Sequence, residues 1–140
     1  RHSSQTMFDL VADAERYPEF VPMCEALIIR RRSENNGVTT LLADMTIGYK
    51  MIRETFTSRA ELDPAAGQIR VTYVDGPFKH LENRWTFQQR ADGGTDVKFF
   101  IDYEFRSRTF QMIVGAVFDK VFRKMAEAFE ARADELARRK

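Results

Sequence analysis

Hydrophobic and polar positions alternate with a period of two from Cys24 to Arg106, and a helical period replaces this alternation on either side. The alternating stretch is rich in β-branched and aromatic residues and is divided by turn-forming segments such as "SENNG" and "ADGG". This pattern predicts five or six antiparallel strands joined by hairpins, at 24–32, 38–49, 51–62, 68–75, 81–90 and 96–106.

The alternation also assigns the two faces of the predicted sheet. In the last strand, Val97, Phe99 and Ile101 share one side, while Lys98 and Asp102 share the other. The earlier strands show the same division. The sequence therefore predicts a sheet with one strongly apolar face and one face in water.

Helical periodicity precedes the strands. Ser3 or Ser4 is a suitable N-cap for a first helix, which is expected to end by about Arg16. The reason for that end is Pro18, which disfavours helical backbone in the residue before it. A short second helical turn is expected at 18–21, because proline is tolerated in a first turn.

A second helical stretch follows the strands. Its apolar positions run from Phe110 to Phe129 at spacings of three and four residues. They predict a single C-terminal helix of about 30 residues, about 45 Å long, that lies across the apolar face of the sheet. The stripe then thins to alanines and Leu136, so the last part of this helix is expected to fray.

Size and composition limit the classes of function. A chain of 140 residues forms one domain, 1–140, and its 12 phenylalanines indicate either a very aromatic core or an aromatic-lined cavity. The net charge of +1 gives little reason to expect DNA or another nucleic acid as the main partner. We expect no membrane span and no signal peptide, because no long apolar run is present.

Cys24 is the single cysteine, which excludes an intramolecular disulfide and a cysteine-based zinc site. This usage suits a reducing compartment, and the predicted location is the cytoplasm. His2 and His80 have no acidic partner at motif spacing, and no hydrolase, metalloprotease, P-loop or dinucleotide motif is present. The sequence therefore predicts a protein that is not an enzyme and that holds no metal.

Three segments carry a resemblance to a known family: "FDLVADAERYPEFVPMC" (8–24), "YVDGPFKHLENRWTF" (73–87) and the closing "FEARADEL". Together they resemble the coenzyme Q-binding protein family, which also contains the bacterial ribosome-association toxin. The resemblance covers essentially the whole chain. It implies an α+β helix-grip (START-like, polyketide cyclase-like) fold, in which a curved antiparallel sheet wraps a long C-terminal helix, with two short N-terminal helices. The family's first strand would precede "RHSS", so we expect it to be truncated.

The resemblance also implies a lipid-like ligand, ubiquinone above all, bound between the sheet and the helix by a carrier or chaperone that supports respiration. No cofactor is expected besides the quinone as bound ligand. The mouth of the cavity is expected between 17–22 and the "DGPFK" turn, although both segments could simply cap the sheet. The candidate ligand-binding residues, each of which could instead be plain core, are Tyr17, Phe20, Val21, Met45, Tyr49, Phe56, Phe78, Trp85, Phe87, Phe99, Ile101, Tyr103, Val117, Phe118, Val121 and Met125.

Three polar residues fall on the predicted apolar face: Glu54, Ser58 and Asn83. They could hold an oxygen of a quinone, or they could pair with Arg31 or with the backbone at a strand end. The second interpretation is favoured. Glu54 could also serve as a proton shuttle in a polyketide cyclase-like enzyme, which is an alternative function.

A ribosomal subunit is a further alternative partner, by kinship with the toxin. It would need a basic surface, for which the sequence offers the run 30–32 and a second group at Arg106, Arg108, Arg123 and Lys124. The same groups could bring the protein to an anionic membrane surface, at the inner face of the membrane, which a lipid carrier needs.

Overall fold

The computed structural model describes residues 2–139, so the strand expected before "RHSS" lies outside the described residues. A 3-10 helix (Ala14–Glu19) follows the first α-helix. The other elements, in chain order, are α1 (Ser4–Ala12), β1 (Cys24–Asn35), β2 (Val38–Tyr49), β3 (Ile52–Asp63), β4 (Gln68–Asp75), β5 (Phe78–Gln89), β6 (Thr95–Phe105), α2 (Arg108–Arg123) and α3 (Met125–Arg138).

The six strands form one antiparallel sheet in the order β1-β2-β3-β4-β5-β6, which confirms the predicted meander. The β3–β4 turn needs its glycine, because Gly67 has φ +64° and an added Cβ would lie 2.6 Å from the carbonyl oxygen of Phe87. Strand β5 begins at Phe78, earlier than predicted, because Phe78 already pairs with Phe105 across a bulge. The predicted "DGPFK" turn is therefore shorter than the sequence suggested.

The N-terminal helices differ from the prediction in their limits. Helix α1 is capped by Ser3, whose side chain accepts a hydrogen bond from the Thr6 amide, and it ends at Ala12. The 3-10 helix then takes up the residues around Pro18 that were predicted as the end of one helix and the start of another. Tighter 3-10 turns accommodate the proline, which has no amide hydrogen to donate.

The predicted C-terminal helical stretch is present, but it is divided into two consecutive helices. The chain breaks at Lys124, whose amide donates to the carbonyl of Val121 rather than to the residue four positions back. Hydrogen bonds of this shorter span tighten the helix and end it, so α2 and α3 are separate elements. The predicted fraying of the last part is wrong, because Phe129 and Ala133 of α3 are buried in the core.

Two hydrophobic clusters fill the space between the sheet and the helices. The first lies under α1 and α3 and includes Val11, Trp85 and Phe129. The second lies under α2, around Phe78 and Phe105, whose rings stack with centroids 4.9 Å apart. The candidate site lies between these two clusters. Among the described residues, no helix is both long and apolar enough to cross a membrane.

Candidate ligand-binding cavity

An apolar cavity of about 130 Å³ lies between the inner face of the sheet and the helices. Its lining comes from α1, the 3-10 segment, all six strands, α2 and α3. A cavity of about 150 Å³ with aliphatic and aromatic walls is large enough to hold benzene. The space therefore suits a single six-membered ring, and a longer ligand would have to extend out of it.

Most of the ligand-binding residues predicted from the sequence contribute to this lining. They come from both ends of the chain and from the strands between, because the curved sheet brings their inner faces together under the helices. Their contact with a ligand remains a prediction. The predicted residues that line the cavity are Tyr17, Val21, Met45, Phe56, Phe78, Trp85, Phe99, Ile101, Phe118, Val121 and Met125.

The other five predicted residues, Phe20, Tyr49, Phe87, Tyr103 and Val117, lie outside the lining. The helices explain the difference for two of them. Phe87 packs under α1, with its ring 5.6 Å from that of Phe8. Phe20 packs on Phe129 of α3, with centroids 5.0 Å apart. Strand alternation gives the inner face correctly, but the helices fill parts of that face and leave a cavity over the rest.

Tyr103, Tyr49 and Val117 also lie away from the cavity lining. Tyr103 packs against Phe122, with centroids 5.0 Å apart, and the ammonium of Lys50 lies 5.4 Å from the ring centroid of Tyr49. Val117 is half-buried on α2.

The predicted mouth needs a correction on one side. Phe78 has no exposed surface and packs against Phe56, with centroids 5.3 Å apart, so it belongs to the interior rather than to an entrance. Tyr17 is also anchored, because its hydroxyl donates a hydrogen bond to the carbonyl of Val11. Both residues line the cavity as walls.

The exposed part of the lining lies at Pro22, which is followed by the partly exposed Met23. Val121, Phe122 and Met125, around the break between α2 and α3, are partly exposed lining residues as well. Of the described lining residues, Pro22 alone is exposed, so the opening is assigned to the side of the cavity at residues 22–23. Pro22 belongs to the segment 17–22 that the sequence named as one wall of the mouth, and its role as an entrance remains a prediction.

Several lining residues were missed. Most sit on strands at positions that the alternation already assigned to the apolar face, and their small or aliphatic side chains gave no reason to select them over the aromatics. Phe129 of α3 lies in the apolar stripe of the C-terminal helical stretch, but its place at this cavity, like that of the α1 residues, depends on tertiary packing. The missed residues are Val11, Ala12, Ala14, Met23, Cys24, Leu27, Leu41, Ala43, Ile47, Ala60, Leu62, Ile69, Val71, Leu81, Phe122 and Phe129.

Two polar side chains, Ser58 and Asn83, interrupt the apolar lining. Asn83 pairs across the sheet with Val71 on β4 and Ile101 on β6. Its Oδ1 atom is buried and has no hydrogen-bond partner among the described residues. The structural pairing favoured from the sequence is therefore missing for this atom. A buried amide oxygen without a partner costs about 1–3 kcal/mol, which only a ligand that donates a hydrogen bond to it, such as a hydroxyl group, would recover.

The other polar groups in the lining are already engaged. Burial raises the pKa of the Tyr17 hydroxyl far above its usual value, and that hydroxyl donates to Val11. Burial also raises the pKa of the Cys24 thiol to about 11, and Sγ donates to the carbonyl of Ala26 at 3.8 Å. Both groups are neutral at physiological pH, so Cys24 is no ready nucleophile.

No Asp, Glu, His, Lys or Arg side chain from residues 2–139 lines the cavity. Glu54, the candidate proton shuttle, lies outside the lining. Both histidines have acidic neighbours that are distant in sequence: His2 Nε2 lies 2.6 Å from Asp134, and His80 Nε2 lies 3.5 Å from Asp102. Neither pair reaches the cavity. In the part of the chain that the structure describes, no group of His, Cys, Asp and Glu could hold a metal ion.

The chain is similar in sequence to several named proteins. The chain is 32% identical over 134 residues to the ribosome association toxin RatA of Vibrio cholerae, a match that covers 96% of this chain and 90% of the relative. It is also 32% identical over 138 residues to the mitochondrial coenzyme Q-binding protein COQ10 homolog B of Xenopus laevis, covering 96% of this chain and 54% of that protein.

Solved structures agree with the fold. An 18 kDa protein from Caulobacter crescentus is 33% identical with a TM-score of 0.78, and the match covers 97% of this chain and 91% of that one. A START superfamily protein from Mycobacterium smegmatis has the same TM-score of 0.78 at 22% identity, covering 96% of this chain and 92% of that one. The predicted helix-grip fold is confirmed. Residues 1–130 match the model of the polyketide cyclase/dehydrase and lipid transport family, and the chain belongs to that family.

Proposed function

We propose that the cavity binds the head-group ring of an isoprenoid quinone, ubiquinone in the first place, and that the protein is a non-catalytic carrier or chaperone for it. The observation that carries this proposal is an apolar cavity of about 130 Å³ with two polar side chains, Ser58 and Asn83, in its wall. A quinone ring has the matching chemistry, because it is flat and apolar and its edge oxygens can accept hydrogen bonds from the Ser58 hydroxyl and the Asn83 Nδ2 amide.

Aromatic and flexible side chains supply the walls that such a ring needs. Trp85 and Phe99 lie next to each other in the lining, with centroids 4.6 Å apart, and offer ring surfaces for stacking. Met45 and Met125 add unbranched side chains that adapt to a ligand's shape. Each Å² of apolar surface removed from water contributes about 25 cal/mol, less the cost of ordering the ligand.

A prenyl tail would leave through the opening beside Pro22. The cavity is too small for a ring and a long tail together, so the tail would lie along the α2–α3 junction or remain in a membrane. This arrangement fits a carrier that works at a membrane surface, and we propose a peripheral location at the inner face of the cytoplasmic membrane. The name of the Xenopus relative supports coenzyme Q as the ligand.

Association with the ribosome is the second candidate. The relatives named RatA support it, as does the exposed run from Arg30 to Arg32 on β1. Arg30 is already close to Asp44, with 3.6 Å between Nη1 and Oδ1, which reduces the charge that this run offers. Co-sedimentation of the protein with ribosomal subunits, at low and at physiological salt, tests this candidate directly.

A cyclase reaction is the weaker alternative. The family description includes polyketide cyclases, so the fold is compatible with such an enzyme. General acid–base catalysis needs a titratable group within reach of the reacting atom. In the cavity, the titratable groups supplied by residues 2–139 are Tyr17 and Cys24, and both are held neutral by burial.

The first test is extraction of the protein after purification, without detergent, from a host that makes ubiquinone, followed by mass spectrometry. A cavity-filling variant, Ala60→Leu, should lose the lipid, because Ala60 lies in the lining. Its matched control is Ala131→Leu, which adds the same atoms at an exposed position of α3. Quinone on the wild type and the control, but not on Ala60→Leu, supports the proposal.

Titration with a short-chain quinone gives an independent readout. Trp85 is the single tryptophan and lines the cavity, so a ring that binds there should quench its fluorescence. If the wild type carries no lipid and its fluorescence does not respond to decylubiquinone, the quinone proposal fails. Ribosome co-sedimentation then becomes the decisive measurement.

A further inference from the structure

One face of α2 points away from the core and carries apolar side chains where a surface helix normally has polar ones. Met112 is 84% exposed and Ile113 is 56% exposed, while Val114 and Phe118 on the opposite face are buried. We call the exposed side the α2 outer face; its exposed residues are Arg108, Thr109, Gln111, Met112, Ile113, Ala116, Asp119, Lys120 and Arg123.

Helix geometry groups these side chains. At about 100° per residue, Met112, Ala116 and Arg123 lie within about 40° of one another around the axis. Ile113 and Lys120 lie beside each other on the same half of the helix, and Val114 lies across the axis from Ala116. The two large aliphatic side chains therefore stand in one exposed surface together with basic side chains.

The segment that contains α2, residues 108–124, has a net positive charge. From Arg108 to Lys124 there are four basic residues and one acidic residue, Asp119, which is a net charge of +3 against +1 for the whole chain. Asp119 is occupied by Arg123, with 2.7 Å between its Oδ2 and the guanidinium Nε. Lys120 and Lys124 have no salt-bridge partner among the described residues. The surface is thus both cationic and partly apolar.

The C-terminal end of the α2 outer face is next in sequence to residues that line the cavity. Val121 and Phe122 of α2 and Met125 of α3 line the cavity and are partly exposed, and they are the sequence neighbours of Lys120, Arg123 and Lys124. At about 100° per residue, Val121 lies about 180° from Met112 around the axis, so a partner on the outer face would contact the side of α2 that points away from the cavity.

We propose that the α2 outer face docks on an anionic lipid bilayer, with Met112 and Ile113 inserted among the acyl chains and the basic side chains at the phosphates. Helices that lie in the membrane interface combine apolar side chains with lysine and arginine in this way. An RNA partner would use the charges but has no use for exposed Met112 and Ile113. This inference rests on the proposed function, because a quinone carrier must exchange its ligand with a lipid phase.

The test is co-sedimentation with vesicles of phosphatidylcholine, with and without phosphatidylglycerol. The wild type should bind the anionic vesicles and not the neutral ones, and added salt should weaken the binding. The double variant Met112→Ser, Ile113→Ser should bind the anionic vesicles about tenfold more weakly, because it loses the inserted surface. Lys120→Gln with Lys124→Gln should weaken binding by roughly fivefold per charge removed.

The matched control is Ile28→Ser with Val74→Ser. Both residues are exposed hydrophobics, at 62% and 47%, but they lie on strands β1 and β4 rather than on α2. The control should bind vesicles like the wild type. Equal binding by the Met112→Ser, Ile113→Ser variant and the wild type overturns the proposal, and so does an equal loss in the control.

Two parallel measurements separate the possible failures. Trp85 fluorescence with decylubiquinone, recorded without vesicles, reports ligand binding alone. A normal response to the quinone without vesicle binding leaves the proposed function standing and overturns the docking surface. Binding to ribosomal subunits that depends on Lys120 and Lys124 but not on Met112 and Ile113 overturns it as well, and identifies the face as an RNA site.

Discussion

The indole of Trp85 on β5 meets the ring of Phe129 on α3 edge to face, with centroids 5.0 Å apart and an angle of 74° between the planes. Both residues line the cavity, so this contact closes the cavity between the sheet and the last helix. It also explains why α3 is ordered beyond the point where the apolar stripe thins. Phe129, 1% exposed, holds the helix in the core together with the buried Ala133.

Phe129→Ala should therefore destabilise the protein strongly. Removal of a fully buried phenylalanine lowers the free energy of unfolding by about 3–5 kcal/mol, through lost burial and the space left behind. Chemical denaturation followed by circular dichroism measures the loss. Glu130→Ala, at an exposed neighbouring position, is the control and should change the free energy of unfolding by less than about 0.5 kcal/mol. Equal values for the two variants would mean that α3 does not pack as described.

Asn83→Leu should separate stability from ligand binding. The variant removes a buried oxygen without a partner, so the free energy of unfolding should stay the same or rise. Affinity for decylubiquinone should fall about three- to tenfold, because a hydrogen bond that the Nδ2 amide of Asn83 donates to a quinone carbonyl oxygen is lost. Affinity for an alkylbenzene of similar size should not fall, since that ring has no oxygen to bond.

The control for this pair of measurements is Thr86→Leu, at an exposed position of the same strand. It should leave both affinities unchanged. If Asn83→Leu weakens quinone and alkylbenzene binding equally, the amide acts through the shape of the cavity rather than through a hydrogen bond.

Cys24 should react slowly in the folded protein. Burial raises the pKa of its thiol from 9.0 to about 11, so at about pH 8 the reactive thiolate is about 100-fold scarcer than for an unperturbed cysteine. Alkylation by iodoacetamide, timed by mass spectrometry, gives the rate before and after unfolding in urea. Rates that match in the two states would show that the thiol is not buried beside the cavity.

Acid should weaken the contact between the 3-10 helix and α3. The Glu19 carboxylate accepts hydrogen bonds from Arg16 and from Arg132 of α3, and the bond from Arg16 contributes most to lowering the pKa of Glu19 below its usual value. A carboxylate with a lowered folded-state pKa contributes stability above the unfolded pKa and loses it as the pH falls through the folded one.

The melting temperatures of the wild type and Glu19→Gln, measured from neutral to acidic pH, test this contact. The wild type should be more stable near neutral pH, and the difference should vanish once Glu19 is protonated. The difference should be small, because the Glu19 carboxylate is exposed to solvent. A difference that grows on acidification would contradict the assigned direction of the pKa shift.

The order of the strands and the two faces of the sheet could be predicted from the sequence alone. Strand alternation is a local property, so the meander, the strand faces and the positions of Trp85, Phe99 and Ile101 on the apolar side followed from the spacing of side chains alone. The resemblance of "FDLVADAERYPEFVPMC" and "YVDGPFKHLENRWTF" to a known family then supplied the helix-grip arrangement. Both kinds of information lie in short stretches of sequence.

Tertiary structure decided the rest. The break at Lys124 carries no proline or glycine signal, and it appears because α2 and α3 pack on different parts of the sheet. The same packing buries Phe78, covers Phe87 with α1 and leaves the Asn83 amide oxygen without a partner. The periodicity of the chain thus determined which face of each element is apolar. Which parts of those faces touch, and which enclose a cavity, depended on contacts between residues far apart in sequence.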